Sequence, residues 1–179
     1  MESGNHVVQK EKNGSSTVCD QVLISLRRII QSIDLHSRYL VRQFGMTGPQ
    51  LVILQELVKL GEVSVGELSR SVSLGQATVT GILERLAKRD LITRRRSQTD
   101  RRRVLVTATE ACEALLDKAP PLMQESFIRQ FTSLQDWEQM MILSSLQRLV
   151  AMTDAKALKA APFLVTGPID GTTTENSKK

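Results

Sequence analysis

Apolar residues recur at Val22, Leu26, Ile29, Ile30, Ile33, Leu40, Val41 and Phe44. That spacing of three or four is the period of one face of an α-helix, and it predicts a helix over about 18–44. At this length the helix would be roughly 40 Å long, more than a small globule can enclose. The run Thr47-Gly-Pro-Gln50 is a capping box with Pro in the first turn, opening a second helix that turns Leu51, Leu54, Leu57 and Val58 inward. A second capping box, Ser64-Val-Gly-Glu67, opens a third helix ending near Val72. A fourth is expected over about 76–89. The period then changes: 91–95 and 103–106 read as strands, joined by the polar turn Ser97-Gln98-Thr99-Asp100. A helix follows from near Thr109 and is broken or bent at Pro120-Pro121, where the ring removes a backbone donor. The last helix is expected to open at Ser133-Leu-Gln-Asp136 and run to about 159. Both ends, 1–17 and 161–179, are polar or broken by Gly and Pro and are expected to be flexible tails. Within the second, Phe163-Leu164-Val165 is apolar enough to dock on a neighbouring helix.

Two short helices around the tight turn Val72-Ser-Leu-Gly75, followed by a hairpin, describe a winged helix-turn-helix. The fold class is therefore mainly α (α+β), with long helices before and after the winged unit. Only 3% of residues are aromatic, so the core must be built from Leu, Ile, Val and Met. On the fourth helix, Val79, Ile82, Leu83 and Leu86 share the inward face. The outward first turns carry Gln76, Ala77, Thr78, Thr80 and Gly81, with Arg85 next. These are small or hydrogen-bonding side chains, suited to a helix that sits deep in a DNA major groove.

Charge sharpens this reading. From Arg85 to Arg103 there are nine basic residues against two acidic ones, a net +7 where the whole chain carries +5. Everything outside this segment therefore sums to −2. A solvated helix face normally mixes signs; a positive charge this local suits a polyanion, whose phosphates it neutralises with release of counterions. Lys88, Arg89, Arg94, Arg95 and Arg96 are the candidate phosphate contacts.

Other classes find little support. The chain has no P-loop, G-x-G-x-x-G or G-x-S-x-G motif, so an enzyme is not expected. Its two histidines, His6 and His36, reach no metal-ligand spacing with Cys19 and Cys112, and neither a metal nor a cofactor is expected. Two cysteines are too few for a disulfide framework. No stretch of eighteen apolar residues and no apolar leader occur, so no membrane partner is expected and a cytoplasmic location is.

The run from Leu68 to Arg94, containing Gly75-Gln-Ala-Thr-Val-Thr80, resembles the recognition unit of MarR-type transcriptional regulators. Asp100-Arg-Arg-Arg-Val-Leu-Val-Thr-Ala-Thr-Glu110 is similar to the family's wing signature D-R-R-x-x-x-V-x-L-T-E, with Ala108 in place of its Leu. The resemblance implies a wing made by Asp100, Arg101, Arg102 and Arg103, in which Asp100 orients Arg102 into a minor groove. The family's turn glycine is Ser73 here and its Ser N-cap is Gly75, which shifts the expected cap to Ser73. Its glycine after the recognition helix is Asp90, a residue that tolerates the left-handed region.

The resemblance further implies a homodimer with interleaved end helices. Segment 18–46 would be the N-terminal dimerisation helix, 47–107 the DNA-binding lobe and 108–160 the C-terminal dimerisation helices. Leu115, Leu122, Phe127, Phe131, Leu134, Trp137, Met141, Leu146 and Val150 are more apolar surface than one small module buries, consistent with a second copy. Two recognition helices related by a two-fold axis would read a pseudo-palindromic operator in double-stranded DNA. The implied function is sequence-specific transcriptional regulation by a homodimeric repressor released by a small organic effector. His36, Arg38 and Tyr39 are the candidate effector-pocket residues, although Asp34 and Arg38 also have the spacing of an exposed ion pair. Peroxide-sensing relatives use a cysteine that falls on Leu23, one turn beyond Cys19, and tyrosines that fall on Ser37, Gly48 and Leu51. A thiol-based redox regulator is thus one alternative, and a non-specific architectural nucleic-acid-binding protein is the other.

Overall fold

A computed structural model describes residues 17–100, 102–153, 155, 158, 160 and 162–165. Its elements run α1 (Val18–Phe44), α2 (Gly48–Leu60), β1 (Val63–Ser64), α3 (Val65–Ser71), α4 (Gln76–Ala87), β2 (Ile92–Arg96), β3 (Val104–Ala108), α5 (Glu110–Leu116), α6 (Met123–Thr132) and α7 (Asp136–Met152). The chain divides into two units, Met1–Ser32 and Ile33–Lys179. In the first, Thr17 and Asp20 cap α1 reciprocally: the Thr17 N–H donates to Asp20 Oδ2 at 3.0 Å and the Asp20 N–H to Thr17 Oγ1 at 3.1 Å. Val22, Ile29 and Ile30 on this part of α1 are exposed.

The second unit holds the core. Ile53, Leu54 and Leu57 of α2, Leu68 of α3, Val79, Ile82, Leu83 and Leu86 of α4, and Val106 of β3 are all fully buried. Val58, expected inward, is 41% exposed, because it lies about 100° round the helix from Leu57. The sheet is antiparallel in the order β1-β3-β2. Val63 pairs with Val106 and Ile92 with Ala108, so the hairpin's base is anchored in the core while Arg94–Arg96 run out of it. Strand β1 was not legible in the pattern, being two residues long and defined only by its partner.

Both helix boundaries around the turn units have one cause. Ser73 has φ 55°, and the Leu74 N–H reaches back to the Ser69 carbonyl at 3.1 Å, a Schellman closure of α3. Ser73 is thus occupied in ending α3 and does not cap α4, contrary to expectation. The N-cap is Gly75, which makes no side-chain bond. Asp90, also at φ 55°, does the same after α4, with the Leu91 N–H on the Leu86 carbonyl at 3.2 Å. Helix α4 accordingly stops at Ala87, short of the expected 89.

Helix α7 opens two residues later than expected, at Gln135, whose N–H donates to Glu138 Oε2 at 2.9 Å. Ser133 is spent on the end of α6, donating its hydroxyl to the Gln130 carbonyl at 2.7 Å. The helix ends at Met152 rather than near 159. Along α6 and α7, Phe127, Trp137, Met141, Leu146 and Val150 are all exposed in the single chain, whereas Leu122, expected among them, is buried in the core just before α6.

Candidate nucleic-acid interface and effector cavity

Because Val79, Ile82, Leu83 and Leu86 point into the core, the opposite side of α4 faces outward. Gln76 and Ala77 are exposed there, and Thr78, Thr80, Gly81 and Arg85 are half-buried. The Thr80 hydroxyl donates to the Gln76 carbonyl at 2.8 Å, leaving its oxygen to accept. Arg85 Nε donates to the Gly81 carbonyl at 3.1 Å, which lays the side chain along the helix.

A groove of about 340 Å³ runs between the starts of α3 and α4 and the hairpin. It brings Gln76 and Thr80 together with Arg94, Arg102 and Arg103. Arg70 of α3 also lines it, a cation outside the arginine-rich segment 85–103. The phase of α3 was the available signal: with Leu68 and Ser69 buried, Arg70 must face out. Glu67 stands in the same groove, but its carboxylate accepts the Ser64 N–H at 3.1 Å. The bonds from Ser64, and more weakly Arg103 and Arg70, hold that carboxyl below its usual range.

The hairpin tip is built by its own side chains. The Ser97 N–H bonds the Arg103 carbonyl at 3.0 Å, and Ser97 itself is buried. Asp100 Oδ1 accepts the backbone N–H of Arg102 at 3.0 Å. Its other oxygen lies 3.6 Å from Arg103 Nε. The expected aiming of the Arg102 guanidinium by Asp100 therefore takes a different form: the carboxylate fixes the Arg102 backbone and pairs with the neighbouring side chain. Arg101, the remaining wing residue, lies outside the described residues.

Two expected phosphate contacts are otherwise engaged. Arg89 donates to the carbonyl oxygens of Gly45 at 2.6 Å and Phe44 at 3.1 Å, satisfying the open C-terminal end of α1. Arg95 makes a two-pronged ion pair with Glu62, and its guanidinium holds the Glu62 carboxyl below the usual range. Lys88, Arg94 and Arg96 are exposed.

A second cavity, of about 160 Å³, lies between α1, α2, the start of α6 and residues 163–165. Of the three candidate effector residues only His36 lines it. Arg38 is turned onto Asp34 at 2.8 Å, and Tyr39, half exposed, packs edge-on against Phe44 with ring centroids 6.2 Å apart. Gln124, whose role no sequence pattern announced, lines the cavity with a buried Oε1 that has no hydrogen-bond partner. His36 Nε2 is in the same condition, and burial pushes the imidazole below its ordinary pKa.

Known proteins match this arrangement. A family model described as MarR family covers residues 46–104. The HTH-type transcriptional regulator YsmB of Bacillus subtilis is 33% identical over 125 residues, 70% of this chain and 86% of that protein. The HTH-type transcriptional repressor NicR of Pseudomonas putida is 35% identical over 105 residues, 59% of this chain and 66% of its own. Among solved structures, BpsR of Bordetella bronchiseptica, whose DNA binding is regulated by 6-hydroxynicotinic acid, is 30% identical. It superposes with a TM-score of 0.51 over 72% of this chain and 98% of its own. These relatives are transcription regulators, not enzymes, and the chain belongs to the MarR family of winged helix-turn-helix regulators.

Proposed function

We propose that the chain acts in the cytoplasm as a homodimeric repressor that binds a pseudo-palindromic operator in double-stranded DNA and lets go when a small organic effector binds. One observation carries the DNA reading: the groove that unites Gln76 and Thr80 at the start of α4 with Arg94, Arg102 and Arg103 of the hairpin. Groups able to read base edges and groups able to neutralise phosphate thus share one face. A non-specific polyanion binder needs only the second set.

The dimer is supported by the exposed apolar side chains of α6 and α7, including Trp137 at 63% exposure. Such a patch is costly to leave in water, and a second copy covers it with an interface above the standard ~1,600 Å². The effector reading is supported by the 160 Å³ cavity with its unpartnered His36 and Gln124 atoms, and by the ligand-regulated relative BpsR. A thiol switch at Cys112 is disfavoured, since burial pushes that thiol up to about 11 and only the thiolate reacts.

Genome-wide mapping of bound sites would supply the operator, after which fluorescence anisotropy on the palindrome and on a scrambled duplex tests the reading. Preference for the palindrome, with two chains per duplex, is expected. Equal affinity for both duplexes, or a folded monomer by light scattering at micromolar concentration, would sink it.

A further inference from the structure

The walls of the second cavity carry a chemistry of their own. Two unpartnered polar atoms belong to lining side chains, Gln124 Oε1 and His36 Nε2. A carboxamide oxygen can only accept, whereas a neutral imidazole nitrogen accepts or donates with its tautomer. Leaving such atoms buried and unbonded is unfavourable, and a ligand that bonds them recovers the loss. Among the described residues, the charged ones lining the cavity are Glu56, Glu125 and Lys59. The Lys59 ammonium is already 3.7 Å from Glu56, so the described walls sum to one negative charge. Burial lowers the His36 pKa and so favours the neutral imidazole, and Arg38 is held on Asp34 outside the lining.

The remaining wall comes from the C-terminal segment. Phe163, Leu164 and Val165 all line the cavity, and Phe163 packs against the hydrophobic core. Val165 sits so close over Gly48 that a Cβ there would lie 2.7 Å from its Cγ1. Glycine at 48 is what lets this segment reach the start of α2. The volume, about 160 Å³, is close to that of cavities of roughly 150 Å³ that hold a benzene ring.

We propose that this cavity takes a small, planar, uncharged aromatic compound with a hydrogen-bond donor beside an acceptor, such as a carboxamide or lactam, against a wall supplied by residues 163–165. A donor N–H meets Gln124 Oε1, the adjacent oxygen meets His36 Nε2, and the ring lies among Leu40, Val52, Ile128 and Phe163. An aromatic carboxylate brings a second negative charge to negative walls and offers Gln124 Oε1 only acceptors. This ligand class rests on the effector reading of the cavity.

Isothermal titration of the full chain with matched pairs, benzamide against benzoate and nicotinamide against nicotinate, tests it. The amides are expected to bind about tenfold tighter than their acids or better. Gln124→Leu and the closer isostere Gln124→Met, each checked for an unchanged melting temperature, are expected to erase that preference, and Phe163→Ala to weaken both amides. Acids binding as tightly as amides, a preference that survives both Gln124 variants, or no amide binding at millimolar concentration each overturns the proposal. A parallel titration on operator DNA separates the two readings. Acids that bind and release DNA leave the effector reading standing and remove the ligand class; amides that bind without releasing DNA do the reverse.

Discussion

Glu62, just before β1, and Arg95, on β2, hold each other in a two-pronged ion pair although β3 lies between their strands. Arg95 therefore differs from Arg94, its neighbour in sequence, which lines the groove beside Gln76. Each phosphate contact contributes about one unit to the slope of log affinity against log salt. Arg94→Ala is expected to lower that slope by about one, whereas Arg95→Ala changes it little. Glu62→Gln frees a cation and should tighten binding. Anisotropy across a salt series reads all three, and equal losses from Arg94→Ala and Arg95→Ala would contradict the assignment.

The wing offers a test in which charge and geometry predict opposite signs. Removing Asp100 makes the surface more positive, so electrostatics alone predicts tighter DNA binding. The structure has Asp100 accepting the Arg102 N–H and facing Arg103 Nε. Losing both should loosen the tip, so Asp100→Ala is expected to weaken operator binding despite the charge gained. Asp100→Asn keeps an acceptor for the Arg102 N–H and should recover part of the loss. The order wild type, Asn, Ala in operator affinity at fixed salt supports the geometric account; tighter binding by the Ala variant reverses it.

Arg89 is expected to behave as a structural residue. Its bonds to Gly45 and Phe44 join the end of α4 to the end of α1. Arg89→Ala should cost about 1 kcal/mol of stability, a melting-temperature loss of a few degrees, while leaving the salt slope unchanged. Ser73→Gly should act in the opposite direction. Its φ of 55° is strained for a residue with a Cβ, and glycine should stabilise by roughly 0.5–1 kcal/mol. Asp90→Gly, at the same φ, gains less, because Asp tolerates that region better. Calorimetric melts of the three variants check the ranking.

Cys112 predicts an alkaline dependence. Burial, with the Glu113 charge adding to it, raises the thiol from an ordinary 9.0 to about 11. The unfolded chain therefore loses this proton first as pH rises. The stability tied to the protonated thiol is complete below pH 9.0 and is lost progressively toward about 11. Cys112→Ala is expected to flatten the urea midpoint over that window, against wild type. At neutral pH the native thiol should resist a disulfide reagent until the chain unfolds. Rapid modification of Cys112 in the folded protein would show that the burial is wrong.

Much of this protein is written in local pattern. The period of α1, the capping boxes at Thr47 and Ser64, the inward face Val79-Ile82-Leu83-Leu86 and the density of arginine after Arg85 act within a few residues. Periodicity, caps and net charge could therefore specify both the winged unit and its polyanion partner class. What local pattern could not specify is the use to which each long polar side chain is put. Arg94 and Arg95 are adjacent in sequence, yet only pairing of β1 with β3 brings Glu62 within reach of Arg95. Arg89 is 44 positions from the carbonyl it satisfies. Ser73 serves α3 rather than α4 because two helix ends compete for one short turn. The cavity is the clearest case: His36, Gly48, Gln124 and Val165 come from four separate segments, and no spacing rule links them. Secondary structure follows from neighbours along the chain, whereas ion pairs and cavity walls follow from which surfaces the hydrophobic core draws together.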